Sequence, residues 1–139
     1  MFVIYNALVP YTGYLALLLR IWVGANFIVH GRPKFSKTGE GIKTSLKNAG
    51  LPGGIVSAVG VLELFGGIFL IIGLIVPIVA ALLVILFASI ILMKKTKQHE
   101  AYIAPGKPSY ELDVLYLMLA IVILVLGSGV LSVDSLIGF

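Results

Sequence analysis

Three long apolar stretches separated by two polar loops dominate the pattern of this chain. A bilayer core is about 30 Å thick and is crossed by roughly 20 apolar helical residues. The apolar stretch over 55–93 contains one charge, Glu63, and as a single helix it would be about 58 Å long. Because that is almost two membrane thicknesses, we predict two helices with a tight turn within residues 73–77, where glycine and proline occur. The predicted helices span about 8–30, 55–74, 77–93 and 111–129.

A shorter amphipathic pattern occupies the first loop. Ile42, Leu46 and Ala49 recur at helical spacing, while Lys43 and Lys47 lie beside them on a more polar side. This pattern is typical of a helix that lies in the membrane interface. We expect the helix to seal one end of the bundle, with a lipid- or partner-binding role as the alternative.

The composition supports a membrane protein. Of the 139 residues, 60% are hydrophobic and 12% are charged, and the mean hydropathy is +1.13, whereas about one quarter of a soluble domain is charged. We therefore predict an all-α fold in which residues 1–139 form one integral membrane domain, a four-helix bundle with a short interfacial helix in the first loop. No Lys or Arg precedes Arg20, so we expect the first helix to be retained rather than cleaved as a signal peptide.

Several kinds of chemistry are excluded by residue content. The chain has no cysteine, which rules out disulfides and Cys-ligated zinc or iron–sulfur sites within it. The sequence also contains no phosphate loop, no nucleophile with an adjacent base and no cluster of metal ligands. Its net charge of +4 comes without a basic helix carrying interleaved aromatic residues, so nucleic acid is not an expected partner. We expect no catalytic residue, no metal site and no covalently bound cofactor in this chain.

The positive charges predict an orientation. Nine of the ten Lys and Arg side chains lie in the two loops over 31–54 and 94–110. By the positive-inside rule both loops are cytoplasmic, and the N- and C-termini of a multi-pass protein of the cell membrane lie outside. An opposite insertion imposed by partner subunits is the alternative.

Two charges occur at membrane depth. Arg20 lies ten residues before His30, at the end of the first helix, and Glu63 lies nine residues after Gly54, at the start of the second. This spacing places both about 14–15 Å deep. An unpaired charge there costs roughly 2.5–3.5 kcal/mol, so we predict a buried Arg20–Glu63 ion pair. Both a register-fixing role and a functional role are open for this pair.

Glycines share the helix faces of these two charges. At 100° per residue, Gly24 lies on the face of Arg20, and the face of Glu63 carries Gly60, Gly66 and Gly67. Glycine allows the backbones of membrane helices to approach closely. We therefore predict that these four glycines pack helices together.

A second polar stripe on the first helix comprises Trp22, Asn26 and His30 at i, i+4 and i+8. Tyr116, near the start of the fourth predicted helix, is the candidate to lie opposite. Asn26, His30 and Tyr116 together would supply hydrogen-bonding groups suited to a quinone headgroup. A hydrated interfacial histidine without a ligand is the alternative.

Three motifs follow one another along the chain. Their residues are Arg20, Gly24, Phe27, His30, Gly31 and Lys34; then Gly60, Glu63, Gly66, Gly67, Leu70, Gly73 and Leu74; then Tyr110, Glu111, Gly127, Ser128, Gly129, Ser132, Val133 and Asp134. In this order and spacing the chain resembles the DoxX family of DoxX- and DoxD-like four-helix membrane proteins. In the resemblance, Arg20 and Glu63 match the charged positions of the family's first two helices.

This resemblance implies a function. The family includes the small subunit of an archaeal thiosulfate:quinone oxidoreductase, so we expect a membrane subunit of a quinone-linked oxidoreductase complex that anchors a redox partner and binds a quinone. Expected partners are the lipid bilayer and other membrane or redox subunits, or further copies in a homo-oligomer. The alternative is a structural or assembly membrane protein without a redox ligand. A small-solute transporter is a poorer alternative, because four short helices without broken repeats hardly build alternating access.

The predicted orientation can be tested directly. A reporter fused after Phe139 should lie outside, and one inserted near Lys97 should be cytoplasmic, because the loop charges fall on one side. Single cysteines placed at these positions can be probed with an impermeant thiol reagent, since the chain has no cysteine of its own. A protected Phe139 end together with an externally labelled Lys97 loop would overturn the orientation.

Overall fold

The computed structural model describes residues 9–48, 50 and 52–139, and shows six α-helices within them. Their bounds are α1 Thr12–Gly31, α2 Lys37–Asn48, α3 Gly54–Ile72, α4 Val76–Thr96, α5 Glu111–Leu126 and α6 Val133–Ile137. Short 3-10 turns over Val9–Tyr11 and Arg32–Phe35 extend α1 at its two ends. No β-strand occurs in the described part of the chain, so the predicted all-helical class is confirmed.

Three segments are long and apolar enough to cross a membrane: Val9–Phe35, Gly54–Ile72 and Val76–Thr96. The fourth long helix, α5, has 16 residues, which corresponds to about 24 Å. It ends at Leu126 rather than at the predicted residue 129, because Gly127 has a φ of 70° that does not continue an α-helix. A fourth crossing by α5 stays a prediction.

The first loop contains the amphipathic helix α2. Leu46 of the predicted apolar side is buried and Lys47 of the polar side is exposed, whereas Ile42 is 39% exposed and Lys43 is partly buried. The third residue of that predicted side, Ala49, lies outside the described residues, as does the predicted start of the first helix at residue 8.

A tight turn joins α3 to α4. Gly73 ends α3 in the left-handed conformation, and Pro77 lies in the first turn of α4. Between them Ile75 has a φ of 48°, which is an outlier for a β-branched residue. Such a conformation persists only where surrounding contacts hold it.

The long helices pack as two close pairs. α1 lies against α3, and α4 lies against α5, whereas contact between the two pairs is thinner. The buried core between them includes Phe27, Leu70, Leu83 and Ile123. The pair arrangement matters for the site described below, because space between the pairs is left open at one end.

Glycines bring the backbones of α1 and α3 together. A Cβ added to Gly24 would lie 2.5 Å from the carbonyl oxygen of Gly67, and one added to Gly67 would lie 2.6 Å from that of Gly24. Seven residues away, a Cβ on Gly31 would lie 3.1 Å from the carbonyl oxygen of Gly60. These backbone contacts leave no room for a larger side chain at Gly24 or Gly67.

Gly66 belongs to a different contact from the one between α1 and α3. A Cβ added there would meet Val79 of α4 at 3.5 Å, an ordinary van der Waals distance. Gly66 is therefore buried beside α4, where α3 and α4 are still close to their connecting turn.

Substitution of these glycines tests the packing. Gly67→Ala should lower the free energy of unfolding by about 1–3 kcal/mol, because the new methyl group overpacks a backbone contact. Gly54→Ala on the same helix is the control, since nothing lies within 4 Å of a Cβ at that position. This control should be neutral or more stable by up to about 1 kcal/mol. Equal stability of the two variants in detergent would contradict the packing.

Candidate functional site

The register of α1 against α3 separates the two charges that lie at membrane depth. The glycine contacts place Glu63 level with Ile28 of α1 and Arg20 level with Ile71 of α3, about 12 Å apart along the helix axes. The predicted Arg20–Glu63 ion pair is therefore wrong. The prediction placed the end of α1 level with the start of α3. In the structure Gly31, at the end of α1, lies against Gly60, which is six residues after the start of α3 at Gly54, and the 3-10 turn continues along α3 from there.

Glu63 pairs with Lys34, a residue of this 3-10 turn. The Lys34 ammonium group donates a hydrogen bond to the Glu63 carboxylate. The Glu63 side chain is 5% exposed and that of Lys34 is 18% exposed. Gly60 allows Lys34 to come this close to α3, because Lys34 Cβ and the Phe35 ring pack directly against the glycine, where a side chain would be in the way. A carboxylate inside a membrane helix thus has the cationic partner that its burial requires.

Arg20 belongs to a second cluster at the opposite end of the helices. Its side chain is fully buried, and Nη2 donates to the carbonyl oxygen of Leu131 at 2.6 Å. Its Nη1 lies against Gly73, where a Cβ would not fit. Within the described residues, Nε and Nη1 of Arg20 have no hydrogen-bond acceptor. The guanidinium lies at the C-terminal end of α3, where the helix dipole favours a cation.

Asp134 completes this cluster. Its fully buried carboxylate accepts hydrogen bonds from the backbone N–H groups of Ile75 at 2.6 Å and Val76 at 2.9 Å. Its own N–H donates to the carbonyl oxygen of Gly73 at 2.9 Å. An acid here satisfies unpaired N–H groups and complements the N-terminal dipole of α4. We call Arg20, Gly73, Leu131 and Asp134 the turn-end clasp, since they tie α1 and the C-terminal segment to the turn between α3 and α4.

A cleft of about 780 Å³ opens at the other end of the helices, which we call the basic end because both basic loops lie there. This volume is in the range of small-molecule sites, about 300–1,000 Å³. Helices α1 to α5 all contribute to its walls. Its polar groups include His30, Tyr116 and the Lys34–Glu63 pair, and its apolar lining includes Phe27, Val59, Leu86, Phe87 and Ile90.

The three residues predicted to bind a quinone are neighbours, and two of them, His30 and Tyr116, line this cleft. The rings of His30 and Tyr116 meet edge-on, with centroids 5.9 Å apart, and both residues line the cleft. The Tyr116 hydroxyl donates to Oδ1 of Asn26 at 3.5 Å, and the Asn26 amide donates to the carbonyl oxygen of Trp22. The structure does not place Asn26 on the cleft wall. The Asn26 side chain instead lies beside the Tyr116 hydroxyl.

A further charged cluster at the cleft was not predicted. Lys94 Nζ lies 2.8 Å from Asp113 Oδ2, 3.1 Å from the carbonyl oxygen of Ser109 and 3.7 Å from Glu100 Oε2. Asp113 lies in the first turn of α5, where an acid complements the helix dipole. No local spacing connects it with Lys94, which arrives from the end of α4.

The cleft can hold a ligand through hydrogen bonds and apolar contact. Tyr116 and His30 present donors, and the ring of Tyr116 packs against Phe27 and Phe87, each with centroids 5.4 Å away. In the part of the chain that is described, no group of three or more His, Cys, Asp or Glu residues lies close enough to hold a metal ion. The donors and the aromatic rings of the cleft fit an organic ligand with hydrogen-bond acceptors on an apolar frame.

The buried Lys34–Glu63 ion pair predicts how substitutions change stability. Lys34→Met should lower the free energy of unfolding by up to about 3–5 kcal/mol, the cost of leaving a buried charge unpaired. Lys34→Met/Glu63→Gln should recover much of this loss, because both charges are then removed. Lys43→Met is the control, since it breaks the exposed pair with Glu40 and should change little. Equal stability of the Lys34→Met and Lys43→Met variants would refute the buried pair.

Comparison with known proteins identifies the family of this chain. The DoxX family model matches residues 15–95. A relative from Bacillus subtilis (strain 168), named "Putative oxidoreductase CatD", is 33% identical over 118 residues, which cover 85% of this chain and 83% of the relative. No solved structure matches the chain. The family match includes both charged positions of the first two motifs, and it confirms the resemblance drawn from the sequence. This chain is a membrane protein that belongs to the DoxX family.

Proposed function

We propose that this chain is the membrane subunit of a quinone-linked oxidoreductase complex, similar to thiosulfate:quinone oxidoreductase, and that its cleft binds the quinone headgroup. The observation that carries the proposal is the adjacent pair of His30 and Tyr116 on the cleft wall, beside the aromatic rings of Phe27 and Phe87. The name of the Bacillus relative, which describes an oxidoreductase, supports the redox class.

The chemistry of the cleft suits a quinone in particular. The two carbonyl oxygens of a quinone accept hydrogen bonds, and the His30 ring can donate one of them. The Tyr116 hydroxyl, whose 3.5 Å contact with Asn26 is long for a hydrogen bond, can turn its single O–H from Asn26 to the quinone and donate the other. The quinone ring would pack against aromatic neighbours of Tyr116 such as Phe27 and Phe87.

The electrons for such a reaction must come from another subunit. The chain has no cysteine, and so cannot hold an iron–sulfur cluster through thiolates. The exposed basic residues of the two loops offer a docking surface for a redox partner with an acidic face; they include Arg32, Lys37, Lys95, Lys97 and Lys107. We place this surface and its partner in the cytoplasm, in keeping with the positive-inside rule.

A structural or assembly role is the second candidate function. It is favoured by a specific observation: the glycine contacts pack helices together, and Asp134 of the turn-end clasp caps α4, which are structural roles. A chain of this kind would hold partner subunits together without a redox ligand. The two candidates differ in whether the cleft side chains affect a bound quinone.

The test uses the complex isolated from native membranes, with quinone extracted and its subunits identified by mass spectrometry. Tyr116→Phe keeps the ring and removes the hydroxyl. The affinity for quinone should therefore fall about two- to tenfold, because one hydrogen bond contributes about 0.5–1.5 kcal/mol. His30→Ala should weaken it similarly. Tyr102→Phe is the control, since Tyr102 is exposed in a loop and should leave bound quinone unchanged.

Both variants should leave the subunit composition of the complex intact. Full retention of quinone in the His30→Ala/Tyr116→Phe double variant would refute the binding role. Absence of both quinone and redox subunits from the complex of the unchanged protein would favour the structural role.

A further inference from the structure

Helices α3 and α4 diverge from their connecting turn. They are joined through Gly73, and they still touch where Gly66 faces Val79 at 3.5 Å. Further from the turn, residues of both helices line the cleft instead of packing together; they include Ile55 and Val59 of α3 and Leu86 and Ile90 of α4. The two helices therefore form a wedge that is closed at the turn and open at the basic end.

The open part of the wedge is short. Its lining runs from Ile55 to Glu63 on α3 and from Leu86 to Lys94 on α4, and each stretch is about 12 Å long at 1.5 Å per residue. A spanning helix of a partner subunit would need a groove matching the hydrocarbon thickness of about 30 Å. The gap is too short for such a helix, but it is long enough for a narrow and flexible apolar chain.

The cleft has a hydrogen-bonding side and a more aliphatic border. His30 and Tyr116 lie on α1 and α5, whereas aliphatic residues such as Val59 and Ile90 border the gap between α3 and α4. The charged residues that also line this border, Glu63 and Lys94, are paired with Lys34 and Asp113. Ile55, at the outer end of this border, is 40% exposed in a helix that is apolar enough to span a membrane. A ligand in the cleft thus has polar partners inside and hydrocarbon at the gap.

We infer that the ligand is a membrane-dissolved amphiphile that enters the cleft sideways, from the bilayer, through the gap between α3 and α4. Its hydrogen-bond-accepting head lies at His30 and Tyr116, and its flexible apolar tail lies between Val59 and Ile90 and continues into the lipid. This inference rests on the proposed function, and it adds the route of access and the place of the ligand's tail. Water-soluble quinone analogues without a tail should bind less tightly, because they leave the aliphatic border unfilled.

The test uses the intact complex reconstituted in lipid vesicles, with a quinone analogue that carries a photoreactive diazirine at the end of its tail. After illumination, mass spectrometry should find the label on the lining residues of α3 and α4. Val59→Trp should reduce this labelling about tenfold or more, because the indole fills the gap. Val61→Trp is the matched control: Val61 is 46% exposed and lies about 200° around the same helix.

The outcomes separate the route from the proposed function. Label on α2, at Ile42 or Leu46, with no effect of Val59→Trp would overturn the sideways route while leaving the quinone site in place. Label on a helix of a partner subunit would show that a partner covers the gap, which also overturns the route. An analogue that binds nowhere on this chain would refute both proposals. The label pattern of the unchanged protein decides between these results even if the Trp variant does not fold.

Discussion

The direct backbone contact between α1 and α3 determines where every charged group of the membrane-spanning region lies. Gly24 against Gly67 and Gly31 against Gly60 fix one register, because neither helix can slide past the other without a side chain meeting a carbonyl group. That register brings Glu63 to the basic end of the helices. The 3-10 turn after α1 is held against Gly60, and this contact delivers the lysine that Glu63 requires.

The two ends of the molecule follow from this arrangement and differ in character. At one end the turn-end clasp joins three separate parts of the chain, and the strained backbone of Ile75 is held by the carboxylate of Asp134. At the other end α3 and α4 have separated, and the space between the two helix pairs becomes the cleft. The turn-end clasp fixes the helices at one end, and the cleft at the other end is accessible to a ligand. The fold can therefore hold polar side chains rigidly beside the cleft.

Much of the fold was predictable because it depends on local patterns. Apolar segment lengths predicted the long helices, amphipathic spacing predicted α2, and the face shared by Gly24 and Arg20 predicted a packed contact. The same reasoning brought Asn26, His30 and Tyr116 together, since all three lie near the same end of adjacent helices. Helical periodicity and depth along one helix are properties of the sequence, and they carry over to the structure.

The remaining features depend on the alignment of distant segments. The predicted Arg20–Glu63 pair was wrong because the membrane depth of each residue was counted from the ends of the loops. An additional 3-10 turn after α1 shifts the start of α3 relative to the end of α1. The partnership of Lys94 with Asp113 and the capping of α4 by Asp134 join residues that no periodic pattern relates. The motif containing Asp134 indicated that the segment matters, but its hydrogen bonds follow only from the position of the α3–α4 turn.

Oxidative cross-linking of paired cysteines measures the α1–α3 register most directly, since the unchanged chain contains no cysteine. A Cβ at position 31 lies 3.2 Å from the Cβ of Glu63, close to the separation of about 3.5–4.5 Å found in disulfides. The Gly31→Cys/Glu63→Cys variant should therefore form an intramolecular disulfide in membranes, whereas Arg20→Cys/Glu63→Cys should not. Disulfide formation in the second variant and not in the first would contradict the register and the account built on it.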